Sequence, residues 1–175
     1  MSTYSIESIV EIIGNKALRN TKRIHDSTGA KGETEAMRNQ YGETSLLGDM
    51  YCESAALFVL QRSKLPIIVH SEEYGDRVLG SKETEFTAFL DGLDGSAVYK
   101  TERGTGRYGT MLGIYKGDDP TYGDYLFGGV MDHSTNRRFY AVKGKGCWVV
   151  ENGVRRRVRT SQSDVLDPVQ TRMHA

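Results

Sequence analysis

Apolar residues near the start of the chain recur at spacings of three and four. Ile6, Ile9, Val10, Ile13 and Ala17 share one face, while Glu7, Glu11, Asn15 and Lys16 fill the other. This pattern predicts an amphipathic helix over residues 4–25. Residues 26–48 keep no period of either kind and read as a glycine-spotted loop with a short helix near Ala36. Helical spacing returns over residues 49–62 through Cys52, Ala55, Ala56, Val59 and Leu60, with Asp49 in the opening turn, where an acid suits the helix dipole. After Pro66, residues 67–69 form a short apolar strand that runs into the acidic HSEEYGD, and residues 86–90 repeat the arrangement before DGLDGS. Two strand ends are thus expected to carry acids to one place. Farther on, alternation and turn residues predict strands over 107–116, 124–132, 137–142 and 147–150, and Asn152-Gly153 is a strong hairpin signal. The expected fold is α+β, with two N-terminal helices packed on one face of a largely antiparallel sheet and a short helix starting near Ser96.

The chain has 175 residues, which suits one domain over 1–160 followed by a tail over 161–175. Its 23 basic and 23 acidic side chains cancel, so bulk charge selects no partner. Two widely spaced cysteines, Cys52 and Cys147, a polar N-terminus and apolar runs far below the roughly 20 residues of a membrane span predict a cytoplasmic protein without a membrane segment.

Neutrality conceals two opposite stretches. Residues 72–94 hold seven acids (Glu72, Glu73, Asp76, Glu83, Glu85, Asp91, Asp94) against two bases, and residues 137–159 hold eight bases against Glu151 alone. Most loop acids serve only solubility. Asp91 and Asp94 differ because they follow an apolar strand and alternate with glycines, so two carboxylates and an intervening carbonyl are able to face one point. Like charges gathered in this way need a cation. Oxygen-only ligation suits a hard divalent ion such as Mg²⁺, which takes one or two carboxylates and keeps waters or substrate phosphate. Ser96 reads as the N-cap of a following helix, and exposed amides at that helix start suit a phosphate.

The order Asp49, then Glu72-Glu73 after an apolar strand, then Phe89-Leu90-Asp91-Gly92-Leu93-Asp94-Gly95-Ser96, resembles the inositol monophosphatase family of Mg²⁺-dependent, lithium-sensitive sugar phosphatases. The similarity continues through residues 108–117, Gly128-Gly129-Val130 and the segment from Phe139 to Gly146, and covers roughly residues 6–158. The resemblance implies the N-terminal layer of the αβαβα sugar phosphatase fold. It implies that Glu72 and Asp91, with the Leu93 carbonyl, hold a first ion and that Asp91 and Asp94 share a second. Two or three ions are implied in all, with Mn²⁺ as an alternative to Mg²⁺. Glu72 and Ser96 would position and deprotonate the attacking water, the amides of Gly95, Ser96 and Ala97 would bind the phosphate, and Asp49 would stand near the metals. The implied substrate is a small phosphorylated sugar or polyol, with inositol phosphate, fructose bisphosphate and a phosphoadenosine nucleotide as candidates.

Several departures qualify the match. Gly92 replaces the family's proline, which loosens the turn, and Leu93 replaces isoleucine without consequence for a carbonyl ligand. Residues 101–106 read as polar and flexible. Family members continue into a second α/β part that supplies a further metal-binding aspartate after a tryptophan. Here Trp148 is followed by Val149, and only Asp164 and Asp167 offer poor substitutes. A homo-oligomer, or the absent C-terminal part, is then expected to cover the apolar surface left open. Two other readings stand beside the enzyme: a catalytically incomplete homologue that keeps the fold and metal site, and, less favoured, a nucleic-acid module using the basic hairpin over 137–159. His70 is read as a hydrogen-bonded core histidine, His133 as a turn residue, Cys52 as a small core residue and Glu73 as a structural acid.

Overall fold

A computed structural model describes residues 4–39, 41–42, 44–102 and 105–160. The first helix, α1 (Ile6–Thr28), is capped by Ser5, whose hydroxyl accepts from the Ser8 amide. A 3₁₀ turn (Gly29–Glu33) and a small antiparallel pair, β1 (Glu35–Arg38) with β2 (Thr44–Leu46), follow it. The second helix, α2, spans Leu47–Ser63. Ala36 therefore lies in a strand and not in a helix. The pair β1–β2 escapes the sequence pattern because β1 is exposed throughout and shows no buried face.

The main sheet has eight strands in the order β10-β9-β8-β7-β6-β5-β3-β4. They are β3 (Ile67–Ser71), β4 (Gly75–Leu79), β5 (Phe86–Asp94), β6 (Gly109–Lys116), β7 (Tyr125–Asp132), β8 (Arg137–Val142), β9 (Gly146–Glu151) and β10 (Val154–Val158). The predicted meander is present, with Asn152 and Gly153 at φ 50° and 78° in the tight turn before β10. Strand β4 is unpredicted, because it is an edge strand whose middle residues are all exposed. The parallel pairing of β3 with β5 is equally unpredicted, since the β4 hairpin lies between them in sequence and outside them in space.

Both long helices pack on one face of this sheet. Val10, Ala17 and Leu18 of α1 and Val59 and Leu60 of α2 bury against Ile67, Val69, Ile114 and Phe127, forming one apolar layer that supplies most of the burial driving the fold. Cys52 belongs to the fully buried set, as expected. A second, smaller cluster of Leu46, Leu93, Tyr99 and Tyr108 fastens the short helix α3 (Ser96–Thr101) to the end of β5. On the opposite face Phe89 and Met111 remain 49% and 40% exposed, leaving an apolar patch on the sheet. No described helix is long and apolar enough to cross a membrane. The tail with Asp164 and Asp167 lies outside the described residues, as do Arg103 and Gly104 of the polar stretch 101–106.

Candidate metal and phosphate site

Parallel pairing brings the acids together. Ser71 of β3 stands opposite Leu90 of β5, and the Glu72 amide donates to the Leu90 carbonyl at 3.2 Å, so Glu72 and Asp91 leave the same end of adjacent strands. They line a cleft of about 520 Å³ together with His70, Phe89 and Met111. Asp94, at the irregular end of β5, lines an adjoining hollow of about 250 Å³ with Arg107, Tyr108 and Asp132. Asp49 comes from the first turn of α2, where its Oδ2 accepts from the Leu46 amide at 2.8 Å. One carboxylate oxygen of Asp49 is thus occupied in closing the helix start.

Electrostatics join these groups into one cluster. Burial raises the Asp91 carboxyl above the usual carboxylate range, and Glu72, Asp94 and Asp49 raise it further. Asp49 is pushed up to about 7, first by burial and then by Glu73 and Glu72. Asp91 and Asp49 resist ionisation beside the neighbouring acids, which is the condition a cation relieves. Among the described residues no three His, Cys, Asp or Glu side chains form a ready-made ion cage. The donor set still suits Mg²⁺, which is held by one or two carboxylates and keeps its waters. Asp91 is braced for such a role, since its Oδ1 accepts from the Leu93 amide at 2.9 Å.

The helix start differs from expectation at Ser96. Gly95 is the N-cap, at φ 82°, and Ser96 is the first helical residue. A left-handed turn of this kind favours glycine. No side chain caps α3, and the amides of its first turn have no carbonyl one turn earlier to accept from them. His70 also departs from its expected place. It is only partly buried, bonds Asp76 at 2.7 Å across the β3–β4 pair and stacks on Phe89. Glu73 takes the structural role expected of it, accepting from the Ser45 hydroxyl. The basic hairpin is half neutralised: Glu11 pairs Lys145 and Arg155, and Glu151 pairs Arg137 and Arg156.

Two supporting groups escaped the sequence reading. Glu53, fully buried on α2, accepts from the Ser71 hydroxyl, the Glu72 amide at 3.0 Å and the Glu73 amide at 3.1 Å. Burial pushes its own carboxyl up to about 7, although these hydrogen bonds oppose the rise. Its signal was legible: an acid four residues after Asp49, inside the stripe of Cys52, Ala56 and Leu60. Replacing Glu53 by Ala strands three donors, so urea denaturation at pH 6 should show a loss of about 3 kcal/mol. An unchanged midpoint would remove Glu53 as the clamp of this turn. The second group is Thr110, whose hydroxyl donates to the Gly92 carbonyl at 2.7 Å and meets His133 Nε2 at 2.9 Å. Burial, with His25 next in weight, pushes the His133 imidazole down to about 3, so it is neutral and its Nε2–H donates to Thr110. His133 follows β7 in a turn as expected, yet it is buried.

Comparison with known proteins bears on this arrangement. No family model matches the chain. A fructose-1,6-bisphosphatase/inositol-1-monophosphatase of Methanothermobacter thermautotrophicus is 28% identical over 119 residues, covering 65% of this chain and 42% of the relative. Among solved structures, an inositol monophosphatase–fructose 1,6-bisphosphatase superposes with a TM-score of 0.66 at 23% identity, over 88% of this chain and 56% of that one. The inositol monophosphatase of Anabaena gives 0.64 at 17% identity, over 90% and 51%. The chain thus spans about half the length of the proteins it matches. At such identities the structural likeness establishes the fold alone, a mixed α+β architecture with a mostly antiparallel sheet. The curated relative and the shared fold together point to the inositol monophosphatase/fructose-1,6-bisphosphatase family, and this chain covers only part of the length of these proteins.

Proposed function

We propose that this chain carries the metal and phosphate side of a Mg²⁺-dependent phosphomonoester hydrolase for a small phosphorylated sugar or polyol. The observation that carries the reading is that Glu72 and Asp91 leave the same end of parallel β3 and β5 beside Asp49 of α2, with the carboxyls of Asp91 and Asp49 raised first by burial and then by the neighbouring acids. The names of the curated relative and of the solved structures support a phosphatase.

In this reading Glu72, Asp91 and Asp94 offer carboxylate oxygens, and Leu93 offers its carbonyl. Mg²⁺, when bound, activates a water and stabilises charge on the transferring phosphoryl group. Ser96 and Glu72 orient that water, and the Glu72 carboxylate accepts its proton. The amides of Gly95, Ser96 and Ala97 hold phosphate oxygens, where hydrogen bonding and the local dipole act together. Asp49 stands near the metals as a buried acid whose Oδ2 is held by the Leu46 amide. The open apolar sheet face around Phe89 and Met111 completes the reading: it receives either a second α/β part or another copy of the chain.

The test is phosphate release with Mg²⁺ from inositol 1-phosphate, fructose 1,6-bisphosphate and a 3'-phosphoadenosine nucleotide. Glu72→Gln and Asp94→Asn should each lower the rate at least about 100-fold. Release equal to that of both variants on all three substrates would overturn the enzyme reading and favour a homologue that keeps the fold without turnover.

A further inference from the structure

A cavity of about 780 Å³ shares no residue with the acidic cleft. It lies against the second half of α1 and reaches α2, β7 and β8 and the turn before β10. Five cations line it: Lys16, Arg19, Lys22, Arg23 and Arg138. Among the described residues no carboxylate lines it. Among the described residues only Lys22 of these five has an acidic partner, Asp26, which lies one turn farther along α1. In a chain of zero net charge this concentration is local and follows from the fold. Lys16, Arg19 and Arg23 recur at three- and four-residue spacing on one helical face, and β8 adds Arg138 from far along the sequence.

Arg138 distinguishes this cavity from an ordinary solvated helix face. Its Nε donates to Oδ1 of Asn15 at 2.8 Å, and Asn15, only 8% exposed, is itself anchored through Nδ2 to the Glu11 carbonyl at 2.9 Å. The guanidinium is therefore held by one edge, and its two Nη groups have no protein partner among the described residues. Burial lowers its affinity for the proton, and the neighbouring Arg19 lowers it further. Arg138 is thus held in a partly desolvated place beside the exposed Arg19, with no carboxylate in the described lining, and an anion removes that cost. Fixed guanidinium donors favour phosphate, which accepts paired hydrogen bonds. Phe58, Met131 and Val150 add apolar wall, and the volume falls within the range of small-ligand sites.

We propose that this cavity is a second anion site, separate from the acidic cleft, that binds a small molecule carrying more than one phosphate. Isothermal titration of the whole chain with inorganic tripolyphosphate tests it. EDTA leaves the acidic cleft metal-free and anion-repelling, and constant ionic strength removes general screening. Saturable binding is expected, weakened at least tenfold in Arg19→Ala and in Arg138→Gln and unchanged in Glu72→Gln. Arg19 is exposed, so its variant tests the site even if Arg138→Gln fails to fold. No saturable binding, equal binding by wild type and Arg19→Ala, or loss of binding in Glu72→Gln would overturn the proposal. Binding of a single-stranded oligonucleotide without binding of tripolyphosphate would also overturn it, in favour of a nucleic-acid surface.

Discussion

In EDTA the protein should lose stability as pH rises from 5 to 8, and Mg²⁺ should restore much of it. Asp49 and Glu53 are each buried with carboxyls pushed up to about 7, whereas in the unfolded chain they ionise near 3.8 and 4.5. Between these limits the folded state binds more protons than the unfolded one, so stability falls with rising pH. It is fully present below about pH 4 and lost as pH passes through 7. Each group contributes on the order of 3 kcal/mol to that loss. Two such groups are a large share of the 5–15 kcal/mol typical of a domain, so the melting temperature should fall by roughly 10–20 °C. Asp132 works in the opposite sense and in another window. Burial raises its carboxyl, but hydrogen bonds from Ser134, Thr135 and Arg107 outweigh this and hold it at about 2. Its contribution is present above pH 3.8 and is lost as pH falls through 2, which places maximum stability near pH 4. Mg²⁺ at 10 mM should raise the melting temperature at pH 8 and barely at pH 5, because protonated carboxyls bind it weakly. A melting temperature that stays flat from pH 5 to 8 in EDTA would refute the account.

Gly92→Ala should destabilise the protein by about 2–3 kcal/mol, and Gly92→Pro by more. A Cβ built at Gly92 lies 2.5 Å from the Asp49 carbonyl oxygen and 2.6 Å from Glu53 Cγ. The first of these atoms is backbone, so relief requires α2 to move away from β5, and that motion displaces Asp49 from the acid cluster. The family's proline suggests the contrary, that restoring a side chain stiffens the turn. Here stiffness has another source: Thr110, backed by His133, pins the Gly92 carbonyl. Chemical denaturation of wild type and Gly92→Ala decides between the two. A variant as stable as wild type would show that α2 yields at that contact without cost.

Particular elements show how much the sequence revealed. The helices expected over residues 4–25 and 49–62, and observed as Ile6–Thr28 and Leu47–Ser63, were legible because one face of each is buried against a continuous layer, which writes a three- and four-residue period into the chain. The meander from β6 to β10 was legible through its turns. Strands β1 and β4 were not, because neither buries a continuous face and so neither needs an apolar alternation. Ser96 was misread as the cap because its hydroxyl suits that position, whereas the chain turns left-handed one residue earlier at Gly95. Glu53 was overlooked because an acid on a helix is usually solvated, and only the packing of β3 against α2 reveals the three donors it serves.

The sequence by itself determined the helical and strand segments, the acidic character of residues 72–94 and the order of motifs that leads to the sugar phosphatase likeness. These are local properties, fixed by periodicity, turn chemistry and residue type. Tertiary structure alone decided that Glu72 and Asp91 emerge side by side, because parallel pairing of β3 and β5 depends on where the β4 hairpin is placed. It alone decided that Arg138 joins the cations of α1, which lie more than a hundred residues earlier in the chain. Charges act through space, and their neighbours exist only once the chain has closed on itself.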